Sequence, residues 1–382
     1  MTGYVPGRQF QDKTADRSGA PARSTATGRP RTGAARTGPA RPHPAPRPHQ
    51  ASRASQAPRI TALGGGQGLS ASLSALRRLT SDLTAVVTVA DDGGSSGRLR
   101  EELGVLPPGD LRKALAALCG DDDWGRTWSE VIQQRFTGSG ELGGHAVGNL
   151  LIVALWEKLG DPVAALDWVG RLLNVQGRVL PMSAVPLDIE AMVRGHDPAF
   201  PAEVAAVRGQ ASVAVTPGTV QSVRLLPDEP PAVPEAVTAV READWVVLGP
   251  GSWFTSVLPH LLVPELVKAL VETRARRLLT LNLAPQPGET EGFTPQRHLD
   301  VIADHAPGLA VDAILVDERA VTGGAFGQAD LDGLEKAAER MGAALVLGRV
   351  ARTDGTPRHD PELLAAAYDR IFRTHGRIGP WR

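Results

Sequence analysis

The stretch ITALGGGQGLSASLSAL, residues 60–76, decides how this chain is read. Ile60 to Leu63 make a short apolar run with the length of a buried strand. Leu69, Leu73 and Leu76 then recur at i, i+4 and i+7, the stripe of a helix. Between the two stand Gly64, Gly65, Gly66, Gln67 and Gly68. Strand, glycines and helix in that order set free backbone N–H groups at the C-terminal edge of a sheet, where phosphates bind. The spacing is not that of a P-loop, which would need Gly, Lys and Ser or Thr at 69 to 71, where the chain has Leu69, Ser70 and Ala71. Read from Gly66, GQGLSA meets the dinucleotide fingerprint only in its looser form ending in alanine. Taken alone, the stretch is a phosphate cradle or a tight structural turn.

Working outward, the next apolar run, LTAVVTVA at 83–90, ends in Asp91, Asp92, Gly93, Gly94, Ser95 and Ser96. Two adjacent carboxylates at a strand end are costly to bury unless paired, hydrated or metal-bound. They suit ribose hydroxyls, a divalent cation or a substrate amine, and Ser95 and Ser96 add donors for an anion. The plain alternative is an Asx turn with Arg98 pairing an aspartate. Gly148 and Asn149 open the apolar helix LLIVALW, with His145 just before. Gly249, Gly251, Ser252 and Thr255 follow the strand WVVL, and Asn282 and Gln286 follow LLTL. Further strands are expected at 278–281 and 313–316, with helices at 108–118, 148–159, 263–273, 295–304 and 361–372. Strands alternating with helices imply a doubly wound, mostly parallel sheet whose polar loops build one site along the C-terminal edge.

The middle differs. Leu187, Ile189, Ala191 and Val193 alternate with polar residues, and 212–215 and 220–226 look β-like between Gly195, Gly209 and Gly218. A small antiparallel β insertion over 183–226 is expected.

Residues 1–58 hold nine Arg and one Lys against two Asp, while the whole chain carries a net −1. This Pro/Ala/Arg-rich segment lacks periodicity and reads as a disordered basic tail, either a solvated tail or an arm for nucleic acid or anionic lipid. The remaining domain, 59–382, is mildly acidic, so nucleic acid is not its expected partner. The single cysteine, Cys119, excludes an internal disulfide and fits a cytoplasmic protein. No apolar run reaches the roughly 18–20 residues that span a bilayer. His298, Asp300, Asp304 and His305 read as surface helix charges, Asp360 as a helix cap, and Trp124 and Trp128 as core or interface anchors.

Eight stretches occur in a fixed order: LGGGQGLSASL, VADDGGSSGRLR, LPPGDLRKALAAL, GHAVGNLLIVAL, NVQGRVLPMS, LGPGSWFTSVLP, LAPQPGET and RHDPELLA. Together they resemble the YvcK/CofD-like family, on the side of the bacterial gluconeogenesis factors, over roughly residues 59–382. The resemblance implies a Rossmann-like fold and a cytoplasmic homo-oligomer that binds UDP-sugars such as UDP-N-acetylglucosamine. It also implies a role in cell shape and peptidoglycan synthesis on gluconeogenic carbon, read by a protein partner. The CofD side of the family implies a different activity, Mg²⁺-dependent transfer of a phospholactate group from a nucleotide-activated donor. Carried over by motif, residues 64–68 would line nucleotide phosphates. Asp91, Asp92, Asn149, Ser252, Thr255 and the 282–290 loop would lie at the crevice. Asp91 and Asp92 are then candidates for a Mg²⁺ site or for chemistry. Three positions depart from the family pattern: Gln67 for the common Thr, Leu283-Ala284-Pro285 for Val-Met-Thr, and Gln210 for Glu. A third reading, an NAD-dependent oxidoreductase, rests only on GQGLSA and the acidic end of the second strand.

Overall fold

The computed structural model describes residues 57–286, 288–322 and 328–375. Apart from its last two residues, the basic tail lies outside them.

Seven short strands form one parallel sheet. They are β1 (Ile60–Gly64), β2 (Leu83–Val87), β3 (Arg178–Pro181), β7 (Trp245–Leu248), β8 (Arg276–Thr280), β9 (Ala313–Asp317) and β10 (Ala344–Gly348). A second, antiparallel sheet holds β4 (Asp188–Arg194), β5 (Val204–Arg208) and β6 (Thr219–Leu226). The large sheet runs β10-β9-β8-β7-β1-β2-β3, every pairing parallel, with Ile60 opposite both Leu83 and Trp245. Helices cover both faces, so β1, β7 and β9 are buried along their whole length and need no polar alternation. Ala62, Val86, Val247, Leu279 and Ile314 are fully buried. Each large aliphatic among them contributes about 1.5–3 kcal/mol on burial.

From β1 the chain steps outward to β2 and β3, and later returns to β7 on the other flank. The β1–β7 boundary is thus the switch point, where connections diverge and open a crevice beyond the strand ends. Helix α1 (Gly66–Leu76) follows β1, α2 (Gly94–Leu103) follows β2, and α3 (Pro108–Leu118) packs on α1. The helix Pro361–His375 also packs on α1. Its Tyr368 is fully buried, with its hydroxyl 2.9 Å from Ser72 Oγ and 3.1 Å from Thr280 Oγ1. Ser72 gives its own hydrogen to the Gly249 carbonyl, so Tyr368 donates to Ser72 and accepts from Thr280.

The insertion has the expected antiparallel order β5-β4-β6. Two details differ from the sequence reading. Residues 210–213 form a helical turn instead of the expected strand, because Asp92 accepts from the Ala211 N–H (2.8 Å) and fixes that turn. The strand β5 alternates in exposure, with Val204, Ala206 and Arg208 outward and Val207 buried, but its residue types, VAAVR, do not alternate. Arg100 of α2 pairs with Asp188 of β4 and ties the insertion to the main sheet. His298 corrects another expectation: it is buried, its Nδ1 donates to the Thr294 carbonyl, and its ring meets Trp253 and Phe293 edge-on. Trp124 is half exposed rather than a core anchor. Among the described residues no single helix is long and apolar enough to cross a membrane.

Candidate functional site

A cavity of about 630 Å³ opens at the switch point. Its floor is the β1–α1 turn, where Gly65, Gly66, Gln67 and Gly68 line it, with Ser70 and Ser74 on the next turns of α1. Gly66 has φ +59°, and a side chain there would project into open space. Gly68 serves a close approach instead: a Cβ on it would lie 2.2 Å from the Pro250 carbonyl oxygen. The turns after β1 and β7 therefore pack backbone against backbone.

The second wall comes from the β7 and β8 loops. Asn282 reproduces a backbone ladder in miniature. Its Oδ1 accepts from Gly251 N–H (2.9 Å) and its Nδ2 donates to the Gly251 carbonyl (2.8 Å). The same Nδ2 reaches Gln286 Oε1 (3.2 Å). Behind this loop lies Glu289, buried, accepting from Thr255 Oγ1 (2.8 Å) and from Phe254 N–H (3.2 Å). Burial pushes its carboxyl above the ordinary range, against the opposing donors Thr255, Ser252, Phe254 and Trp253. Thr255 thus serves the loop and does not line the cavity.

The third wall is acidic. Asp91 and Asp110 of α3 both line the cavity there. Burial raises the Asp91 pKa, and the Asp110 carboxylate adds to that effect. The Gly93 N–H, the Ser96 hydroxyl and Lys113 act the other way. Asp110 accepts from Gly66 N–H (2.9 Å) at one oxygen and from Lys113 Nζ (2.8 Å) at the other. A carboxylate of the protein itself therefore sits at the N-terminus of α1, the position an anion would seek.

The fourth wall is basic and comes from the loop after β10, where Arg352, Arg358 and His359 line the cavity. Asp317 at the end of β9 anchors that loop by accepting from Val350 N–H (2.9 Å) and Ala351 N–H (3.0 Å). Burial alone would raise the Asp317 pKa, but these donors and Arg319 hold it below the ordinary range. No carboxylate among the described residues lies within 4 Å of Arg352 or Arg358. His359 is buried, and burial holds its pKa at about 4, so the ring is neutral at pH 7. The insertion contributes Gln210 at the edge.

The structure brings together Gly65, Gly66, Gln67, Gly68, Asp91, Gly251, Ser252, Asn282 and Gln286 of the sequence-expected residues. Gly64 ends β1 and Gly249 follows β7, both buried behind the cavity wall. Asp92 turns to the insertion. Ser96 Oγ accepts from Gly109 N–H (3.0 Å). Ser95 and Asn149 belong to a separate buried cluster, in which Asn149 Nδ2 donates to Ser95 Oγ (2.9 Å) and Ser95 meets His145 Nδ1 (3.0 Å). Sequence reading missed Asp110, Lys113, Arg352, Arg358 and His359. All but Arg352 nevertheless stand in two of the stretches that carry the resemblance, LPPGDLRKALAAL and RHDPELLA, and Asp110 and Lys113 are paired at i, i+3 on α3.

Comparison with known proteins places this geometry among relatives. Residues 60–346 match the family model described as 2-phospho-L-lactate transferase CofD. A Mycobacterium tuberculosis protein whose name carries the words gluconeogenesis factor is 56% identical over 312 residues, covering 82% of this chain and 90% of the relative. The gluconeogenesis factor of Bacillus subtilis is 37% identical over 262 residues, covering 69% of this chain and 79% of the relative. A crystal structure of a Bacillus halodurans protein superimposes with a TM-score of 0.71 at 34% identity, covering 82% of this chain and 99% of that one.

Proposed function

Because the chain belongs to the CofD family, on its gluconeogenesis-factor side, we propose that the switch-point cavity binds a UDP-sugar of the UDP-N-acetylglucosamine type. The protein then acts as a cytoplasmic, homo-oligomeric regulator of cell-wall synthesis and cell shape during growth on gluconeogenic carbon. One observation carries the reading: Arg352 and Arg358 face, across one cavity, a glycine turn and a loop clipped by Asn282. Two arginines that have no carboxylate within 4 Å among the described residues suit a diphosphate. The glycine turn and the 250–252 loop, which present backbone at close quarters, suit the flat or hydroxylated ends of the ligand. Asp110 already holds Gly66 N–H, so the diphosphate belongs at the arginine wall and not at the start of α1.

The test is calorimetry and thermal shift with UDP-N-acetylglucosamine beside other nucleotide sugars. Ligand at 100 times its Kd adds about 2.7 kcal/mol of stability. Arg358→Ala should weaken binding at least tenfold, which is about 1.4 kcal/mol. No stabilisation by any UDP-sugar would sink the proposal.

The transferase reading has its own support in Asp91, a carboxyl on the wall that is raised by burial and suited to take a proton from an acceptor hydroxyl. The Mg²⁺ that this reading implies does not fit the donors as they stand. Asp92 is turned to the insertion, and both oxygens of Asp110 are already occupied. Turnover of a nucleotide-activated donor that is lost in Asp91→Asn, with UDP-sugar affinity retained, would favour it.

A further inference from the structure

The acidic wall contains its own cation. Asp110 is 5% exposed and lies beside a second cavity-lining carboxylate, Asp91. Two carboxylates on one desolvated wall repel each other and call for a positive charge. A divalent ion is one way to supply it. Here the charge comes from α3 itself: Lys113, one turn after Asp110, brings its Nζ to 2.8 Å from Asp110 Oδ1. The other oxygen of Asp110 is taken by Gly66 N–H. Asp91 Oδ1 accepts from Gly93 N–H (3.0 Å). The third acid of the neighbourhood, Asp92, accepts from Ala211 N–H and is unavailable as a further ligand. Lys113 is itself a cavity-lining residue.

We infer that Lys113 is a built-in counter-ion: its ammonium takes, on the Asp91–Asp110 wall, the place a divalent cation would otherwise fill, so that the site accepts its ligand without a metal. A tethered ammonium has two consequences. It holds Asp110 in the geometry that fixes Gly66, and through it the β1–α1 turn. It also raises the cost of bringing a 2+ ion to the same wall, since the ion must first displace a like charge. The donor set and the cation are both on the chain, so one of the wall's two negative charges is balanced by folding rather than by uptake from solution. This inference deepens the nucleotide-sugar reading, but its first test does not depend on that reading.

The first measurement titrates Mn²⁺ alone against the full chain by electron paramagnetic resonance. Wild type should show no site tighter than about 1 mM, the weak end of protein carboxylate sites. Lys113→Met should gain one site at least tenfold tighter, and Asp110→Asn added to it should abolish that site. Lys113→Arg, which keeps the charge, should remain without one. A tight Mn²⁺ site in wild type that Asp110→Asn removes would overturn the inference, as would failure of Lys113→Met to gain any. Should Lys113→Met unfold by circular dichroism, Lys113→Gln carries the same test. The second measurement is UDP-N-acetylglucosamine affinity with excess EDTA and with 5 mM Mg²⁺. Wild-type affinity should change less than twofold between them, and Lys113→Met affinity should rise at least fivefold with Mg²⁺. A wild type that needs Mg²⁺ refutes the inference. Absence of nucleotide-sugar binding under every condition refutes the function reading instead, and leaves the Mn²⁺ result to decide the counter-ion.

Discussion

Replacing Gly68 by alanine should push apart a pair of loops that the fold holds together. A Cβ at that position would stand 2.2 Å from the Pro250 carbonyl oxygen and 2.5 Å from Gly251 Cα. Ordinary contacts of these kinds exceed 3 Å, so the start of α1 and the β7 turn must separate by about 1 Å. Backbone lies on both sides, and no side chain can rotate away. Overpacking of this kind costs about 1–3 kcal/mol, and the better helix propensity of alanine returns up to about 1 kcal/mol. The expected net loss, with the propensity gain subtracted, is therefore up to about 2 kcal/mol in guanidinium unfolding. Gly66→Ala provides the contrast. Its Cβ meets nothing within 4 Å, but its φ of +59° costs an L-residue about 1–2 kcal/mol. The two losses are similar in size and differ in cause, and asparagine separates them. Asn tolerates a positive φ, so Gly66→Asn should recover most of the stability, whereas Gly68→Asn should recover none. Calorimetry with UDP-N-acetylglucosamine should show Gly68→Ala weakened by the displaced loop. A Gly68→Ala protein as stable as wild type within about 0.3 kcal/mol, with unchanged affinity, would refute the close-approach argument.

Three further perturbations probe the remaining walls. Asn282→Ala removes both partners of Gly251 and should cost about 1–3 kcal/mol in urea unfolding, while Asn282→Asp should lose affinity as well because a carboxylate oxygen then faces the Gly251 carbonyl. Asp317→Ala should release Val350 and Ala351, costing about 2 kcal/mol and weakening ligand binding through Arg352 and Arg358, although Asp317 is absent from the cavity wall; unchanged calorimetric affinity would count against an anchored arginine loop. His260 is fully buried, donates from Nε2 to the Val86 carbonyl (3.1 Å), and has its pKa held at about 4 by burial. The unfolded chain therefore binds a proton that the folded chain refuses between about pH 6.5 and 4. Stability should fall across that window as pH drops, by about 3 kcal/mol from this residue, and unfolding curves at pH 7.5 and 5 should show a shallower loss in His260→Gln.

The five inner strands of the large sheet were legible because they are buried on both faces, whereas the edge strands β3 and β10 were not read, and β10 is largely exposed. Trp245 to Leu248 and Ala313 to Val316 are uninterrupted apolar runs, Ile60 to Leu63 is broken only by Thr61, and each is followed by glycine or polar residues. The run at 83–90 was read three residues long, since Thr88, Val89 and Ala90 stay buried after the ladder of β2 has ended. Residues 212–215 misled because their helical turn is set by Asp92, far away in sequence. The strand β5 has apolar residues on its exposed side too, Val204 and Ala206, so its period-two exposure leaves no apolar/polar pattern in the sequence. The site was half legible for a related reason. Glycine turns announce themselves, but a helix does not say which face it offers. Asn149 and Ser95 lie on faces that meet each other, whereas Asp110 and Lys113 lie on the face that meets the cavity. Arg352 and Arg358 belong to an undistinguished loop whose place depends on Asp317.

The buried hydroxyls around Tyr368 bear on how this protein comes off the ribosome. At about 5–20 residues per second, the glycine turn emerges early and the arginine loop and the helix Pro361–His375 emerge many seconds later. Until then Ser72 and Thr280 lack their common partner, and one wall of the cavity does not yet exist. A chain that has not yet reached residue 352 can thread its first strands and still lack one wall of the cavity. In this fold the cavity is closed on its basic side only once residues 352–375 have been made.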